Sequence, residues 1–284
     1  MKFYLLSSSH LETRLWFSDD NDFAVAMNYV AIAAFKHKVN IIAFILMSNH
    51  VHFVLECEAD QAVGFIDYYK ELYSSYRRRR YGDKEFLRRN TIDTQEVPLG
   101  NDSLERAVAY VQCNSVAARI CVHPTGYPWG TGNAFFNTSF PQGKPVYEFS
   151  GRRLSGLLHS KQDINPEWLI GGNGYILPHS YVAVSFVESL FRSPGRYQFF
   201  LDNSSKAKKV REQVAPTFSD QLILTASLNL CHSLFRTNSI EDLSPAQTVE
   251  LLTQLHRRFS SDNAQLARVT GIAYKEVVRI FDGF

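Results

Sequence analysis

Apolar residues run almost unbroken from Ile41 to Met47 and resume at Val51, Phe53, Val54 and Leu55, with Ser48, Asn49 and His50 between them. A run this long, rich in Ile, Val and Phe and bounded by polar residues, predicts one or two buried strands across 40–56. Residues 2–6 read as a short opening strand. Asp19 and Asp20 are placed to cap a helix carrying Phe23, Val25, Ala26, Tyr29, Val30, Ala33 and Ala34 at helical spacing. A second helix is predicted from about Asp60 to Tyr81, with Val63, Ile66, Tyr69, Tyr73 and Tyr76 along it and Gly82-Asp83 ending it. Residues 84–98 are mixed, a short strand or a loop. Ser103 reads as the N-cap of a third helix reaching about Ile120, with Glu105 in a first turn that suits a negative charge. This order predicts an α+β domain: an antiparallel sheet with helices on one face.

Beyond Val122 the periodicity weakens. Residues 123–133 are dense in Pro, Gly and Asn and read as an extended connection. Helical stretches reappear at Tyr181–Phe191 and Gly195–Asn203, and Ser204-Ser205-Lys206 opens a candidate linker. From Ser219 on, the pattern is helical again. Three parts are expected: a catalytic-type domain over 1–135, a connecting and helical region over 136–210, and a helical C-terminal domain over 211–284.

Composition adds limits. The 284 residues carry a net charge of +2, so the chain as a whole is no polycation, yet the charge is uneven. Arg77, Arg78, Arg79 and Arg80 are consecutive, Arg88 and Arg89 follow, and Lys206, Lys208, Lys209 and Arg211 cluster later. Such local patches, not the net charge, would meet an anionic polymer. The four cysteines (Cys57, Cys113, Cys121, Cys231) have no Cys-x-x-Cys spacing, which argues against a zinc ribbon or a disulfide framework. No apolar run approaches a membrane span and the first residues lack a secretory pattern, so a reducing cytoplasm is the expected compartment.

His50 and His52 carry the most specific chemistry. Side chains alternate along a strand, so the two imidazoles share one face while Val51 turns into a core. Two imidazoles side by side can hold a divalent metal ion with a third ligand from elsewhere. Tyr110 and Asn114 are four apart on the third helix and share its face, one turn from each other. A tyrosine that attacks phosphorus needs a nearby metal ion, and an amide oxygen one turn away suits a hard cation.

Together these residues resemble the REP-associated tyrosine transposases, a family of HUH (His-hydrophobic-His) single-tyrosine transposases. Leu46-Met47-Ser48-Asn49-His50-Val51-His52-Phe53 resembles a family run that usually reads Leu-Met-Pro-Asn-His-Val-His-Leu. Tyr110-Val111-Gln112-Cys113-Asn114-Ser115-Val116-Ala117-Ala118 is similar to Tyr-Ile-x-x-Asn-Pro-Val-x-Ala, and Tyr127-Pro128-Trp129 to a following Tyr-x-Trp. A basic helix from Tyr69 to Tyr81 lies between, as in the family. The resemblance covers about residues 1–135 and departs from the pattern at Ser48 and Ser115, where prolines are usual. It implies a ferredoxin-like sheet domain in which His50, His52 and Asn114 bind Mg²⁺ or Mn²⁺. It also implies that Tyr110 attacks single-stranded or hairpin DNA, forming a 5′-phosphotyrosine link. Tyr68, Tyr69, Tyr73 and Tyr76 rank below Tyr110 because none has Asn four residues on.

Two further regions read as DNA contacts. Arg77–Arg80 would meet phosphates, with Tyr76 and Tyr81 stacking on unpaired bases. Gln265 to Ile280 has helix-turn-helix spacing: Asp262 as cap, small Ala267, Gly271 at the turn, and Ile272, Val277 and Ile280 as apolar anchors. Its second helix would offer Tyr274, Lys275 and Arg279 to a groove. The expected protein is therefore a metal-dependent DNA strand transferase, monomer or homodimer, with no membrane partner. The alternative is a catalytically inactive DNA-binding regulator of the same descent. A metal hydrolase using Glu56 with the two histidines is a third reading.

Overall fold

The computed structural model describes residues 2–8, 14–84, 86–87, 90–139, 141–205 and 218–282. Arg88, Arg89, Lys206, Lys208, Lys209 and Arg211 of the basic runs lie outside the described residues. The chain begins β1 (Lys2–Ser8), α1 (Asp20–His37), β2 (Asn40–Met47), β3 (His50–Cys57), α2 (Ala59–Tyr81), β4 (Ile92–Val97), α3 (Ser103–Gln112) and α4 (Asn114–Ala117). The four strands form an antiparallel sheet in the order β2-β3-β1-β4. The α+β expectation holds.

The strand run over 40–56 resolves into a hairpin. Met47 pairs with His50, so Ser48 and Asn49 make the turn. That turn is held from outside: the amides of Trp16 and Phe17 donate to the Ser48 carbonyl at 2.7 and 3.2 Å. At the start of α1, the Asp19 carboxylate accepts from the Asp22 amide at 2.9 Å, satisfying one donor that the helix leaves over. Helix α2 ends where Gly82 takes a left-handed conformation. Ser103 is the first residue of α3 and not its cap. Asp102 holds that place in a left-handed conformation, without a side-chain capping bond.

The helices are not confined to one face. Phe53 meets Phe65 and Tyr69 of α2 at ring-centroid separations of 5.1 and 5.6 Å. Its neighbour His52, pointing the opposite way, meets Tyr110 of α3 at 5.5 Å. Helices α1 and α2 therefore cover one face, joined by contacts such as Tyr29 on Tyr76, while α3 lies across the other. A one-residue step along a strand turns a side chain over, so one strand serves both layers.

The third predicted helix is broken. It ends at Gln112 and resumes at Asn114, because the Asn114 side chain donates its Nδ2 to the carbonyls of Tyr110 and Val111 at 2.9 and 3.2 Å. Side-chain amides compete with the helix ladder in this way.

The exposed edge of β2 is covered by later chain. Gly130 bridges to Ile45 and Val182 to Ile41, the Leu46 amide donates to the Trp129 carbonyl at 2.8 Å, and the Tyr127 hydroxyl donates to the Leu46 carbonyl at 2.7 Å. A Cβ at Gly130 would meet the Phe44 carbonyl at 2.6 Å, so glycine is required. Trp129 stacks on Phe23 at 4.9 Å. The Tyr-Pro-Trp segment thus closes a sheet edge that would otherwise invite pairing with another chain.

Residues beyond 140 extend the same core. A small two-stranded antiparallel sheet of β5 (Gly143–Pro145) and β6 (Leu169–Gly171) is accompanied by α5 (Gly151–Leu158), α6 (Val184–Phe191) and α7 (Pro194–Asn203). Their Leu158, Ile170, Val187, Phe191 and Leu201 join one apolar cluster that begins at Phe3. A second cluster is built from α8 (Asp220–Leu230), α9 (Pro245–Phe259), α10 (Asn263–Thr270) and α11 (Tyr274–Asp282), centred on Ile223, Leu251, Leu255, Leu266 and Val277. No helix is long and apolar enough to cross a membrane among the described residues.

Candidate metal and tyrosine site

His50 opens β3 and His52 follows it on the same face; the ring centroids are 5.0 Å apart. His52 is fully buried and His50 partly exposed. Each ring is oriented by an oxygen. The Ser7 Oγ, directly across the β1–β3 pairing, lies 2.8 Å from His52 Nδ1, and the Asn49 Oδ1 lies 2.8 Å from His50 Nδ1. An imidazole whose Nδ1 is tied to oxygen presents Nε2 as its ligating nitrogen, and such partners fix ring orientation. Neither Ser7 nor Asn49 was expected from sequence. The signal for Asn49 was adjacency. That for Ser7 was a pairing register that no local pattern reveals.

Helix α3 brings Tyr110 over the sheet, its ring edge-on to His52. The phenol is half-buried, and burial holds its pKa above the ordinary tyrosine value. Asn114 is buried one turn further on. Its Nδ2 is committed to two carbonyls, so its Oδ1 is the atom suited to a cation. The structure thus joins His50, His52 and Tyr110 through ring contacts and sets Asn114 beside Tyr110. Among the described residues, no group of three or more His, Cys, Asp or Glu is placed to hold a metal, so a cation here would take two imidazoles and an amide. Glu56 is not a partner. It lies four residues along β3 from His52, about 13 Å away at strand rise, and accepts from Asn40 at 3.0 Å.

The turn carrying the histidines is also latched to the C-terminal helices. Buried Asp220, at the start of α8, accepts from the Ser48 hydroxyl at 2.5 Å. The same carboxylate takes two bonds from Arg268 (2.7 and 3.0 Å) and one from Gln265 (3.0 Å), both on α10. The Ser48 hydroxyl is thus the donor through which the turn meets the C-terminal helices.

The arginine run lies on the other side of the sheet, and two of its four members are ion-paired. Arg77 is buried and pairs with Asp83 at 2.7 Å and Asp22 at 3.5 Å. Arg80 pairs with Asp22 at 2.6 Å and Asp19 at 2.5 Å. Asp22 is fully buried and also accepts from the hydroxyls of Tyr76 and Tyr81 at 2.9 and 3.0 Å. The guanidinium groups of Arg77 and Arg80 lie over the Tyr81 ring. Tyr76, Tyr81, Arg77 and Arg80 thus hold α1 to α2; Arg77 and Tyr76 are buried in doing so, while Arg80 and Tyr81 keep an exposed side. Arg78 and Arg79 are exposed too, and neither has a carboxylate partner among the salt bridges of the described residues. Rival tyrosines Tyr69 and Tyr73 are buried in the core, and their phenols are pushed well above the usual range by burial.

At the C-terminus, Asp262 caps α10 by accepting from the Gln265 amide at 2.7 Å, Gly271 is left-handed, and α11 follows after Ala273. Val277 and Ala267 are buried, while Tyr274, Lys275 and Arg279 are exposed.

No known protein-family model matches the chain, and no curated protein is similar to it. Among solved structures, a REP-associated tyrosine transposase bound to a REP hairpin is similar over 47% of this chain and 78% of that one, at 9% identity and a TM-score of 0.35. A likeness that weak decides neither fold nor function.

Proposed function

We propose that this protein is a metal-dependent DNA strand transferase that cleaves single-stranded or hairpin DNA through a covalent tyrosine intermediate. The observation that carries the reading is the meeting of His50, His52 and Tyr110 on one face of the sheet, ring against ring. His50, His52 and Asn114 would hold the cation, Mn²⁺ or Mg²⁺; the two imidazole nitrogens suit the softer Mn²⁺ better than Mg²⁺. When bound, the cation supplies charge stabilisation to the phosphate oxygens.

The rest falls to the chain's own residues. Tyr110 is the nucleophile: its Oη bonds to phosphorus as the phenol proton passes to solvent, and the bond from phosphorus to the 3′ oxygen breaks, the leaving oxygen taking a proton from solvent to become a 3′-hydroxyl. The resulting phosphotyrosine conserves a phosphodiester, so a 3′-hydroxyl can reverse the step and rejoin strands. Ser7 and Asn49 keep the imidazoles in register. Exposed Tyr274, Lys275 and Arg279 on α11 would supply a separate duplex contact, as the second helix of a helix-turn-helix does.

The test is to incubate the full chain with hairpin DNA and Mn²⁺ or Mg²⁺ and resolve denatured products on a gel. A denaturation-resistant adduct that is lost in Tyr110→Phe and in chelator is expected. Equal cleavage by Tyr110→Phe would overturn the reading. DNA binding without cleavage of any hairpin would instead favour the inactive regulator.

A further inference from the structure

Tyr110 has a second neighbourhood, on the side of α3 turned toward α7. A cleft of about 500 Å³ opens there, lined among others by Arg106, Tyr110, Phe199, Phe200 and Asn203. Its volume falls within the roughly 300–1,000 Å³ of small-ligand sites. Arg106 precedes Tyr110 by four residues on α3, so guanidinium and phenol share a helix face, one turn apart. Arg106 is exposed. Asp102, which also lines the cleft, and Glu105 on the same helix share the guanidinium of Arg196, at 2.7 and 3.1 Å. Arg106 thus presents an exposed guanidinium to the cleft, one helical turn from the candidate nucleophile.

Its opposite wall is aromatic. Phe199 is 61% exposed, a large apolar ring kept in water. It is steadied from behind: its ring meets buried Phe200 edge-on at 5.8 Å, and Phe200 is in turn fixed by Phe191 and covered by Arg196. An exposed ring and an exposed guanidinium lining one cleft of this size suit a nucleotide, with the base on the ring and the phosphate on the arginine.

We propose that the α3–α7 cleft holds a nucleotide of single-stranded DNA adjacent to the one attacked, its base stacked on Phe199 and its phosphate paired with Arg106. This deepens the proposed function and rests on it for the choice of DNA. It also gives the residues after 140 a place in the site.

The experiment measures binding of a fluorescent single-stranded octathymidylate to the full chain by anisotropy, in chelator so that no cleavage occurs, across a salt series. Phe199→Ala is expected to weaken binding about tenfold, the loss of one base–aromatic stack, without changing the salt dependence. Phe199→Trp is expected to bind at least as tightly as wild type. Arg106→Ala is expected to lower the slope of log affinity against log salt by about 0.7, one phosphate contact on a single strand. Wild-type affinity in both Phe199→Ala and Arg106→Ala, or no binding by the wild type at low salt, overturns the proposal. The two readings fail separately. Normal adduct formation and normal affinity in Phe199→Ala remove the cleft but keep the chemistry. Weakened binding in Phe199→Ala, with no adduct from wild type, keeps the cleft and removes the chemistry.

Discussion

Two clusters of aromatic and ionisable residues lie on opposite faces of the same sheet, and they differ in what their polar groups touch. On the α1–α2 face, Asp22 sits at the centre of a closed network: two arginines, two tyrosines and the Ser18 amide all converge on one buried carboxylate. Arg77, Arg80, Asp19, Asp22 and Asp83 are each paired with an opposite charge of the protein itself. On the α3 face, two imidazoles and a phenol meet ring against ring, the imidazoles oriented by a serine and an asparagine. The first arrangement is complete as a fold device. The second has donors of the kind a cation and a phosphate would satisfy. Charge density alone would have ranked them the other way round.

The largest expected effect falls on the histidine side. His52→Ala should reduce adduct formation by about a hundredfold or more, since removing a ligand removes the charge stabilisation at phosphorus. Single-turnover assays at saturating DNA would measure it, and a near-wild-type rate would break the contrast between the faces. On the other side, Asp22→Ala should cost about 3–5 kcal/mol, the price of leaving buried arginines without their carboxylate. Urea unfolding would read the loss, while the folded fraction should keep its Mn²⁺ affinity.

Smaller effects sharpen the picture. Ser7→Ala should weaken Mn²⁺ binding about tenfold, as loss of a ligand-orienting partner does, with little change in unfolding. Ser48→Ala should cost only about 1 kcal/mol, because Asp220 keeps Arg268 and Gln265. The smallest effect depends on pH. Burial works to raise the Asp19 carboxyl, but the hydrogen bonds from Arg80 and from the Asp22 amide, with the Arg80 charge, outweigh it and hold the group below its ordinary value. A carboxyl depressed in the folded state adds stability above its unfolded pKa of about 3.9 and loses it as pH falls through the lower folded value. Asp19 is well exposed, so the contribution is discounted to about 0.5 kcal/mol. The stability gap between wild type and Asp19→Asn, which keeps the helix cap, should close between pH 5 and pH 2.

Much of the α3-face site was legible because its signals are periodic. A strand repeats every two residues, so His50 and His52 had to share a face; a helix repeats near four, so Tyr110 and Asn114 had to be neighbours. The strands and long helices followed from the same periodicities. What was illegible depended on partners distant in sequence. The arginine run reads as a free basic edge until Asp19 and Asp22, some 55 to 61 residues earlier, are found against it. Ser7 is 45 residues from His52 and is set by strand register. The break between Tyr110 and Asn114 follows from a side chain replacing the backbone as donor, which spacing does not reveal. Helix α3 crossing to the opposite face was hidden because a helix's own pattern says which side is apolar, not which side of a sheet receives it.

The central claim is that Tyr110, and no other tyrosine, takes phosphorus beside His50 and His52. Its most direct test is to trap the adduct on a hairpin DNA with Mn²⁺, digest both partners, and locate the nucleotide-bearing peptide by mass spectrometry. The account predicts the modification on the peptide containing Tyr110 and none in the presence of chelator. A nucleotide found on Tyr68, Tyr81 or any other residue would contradict it.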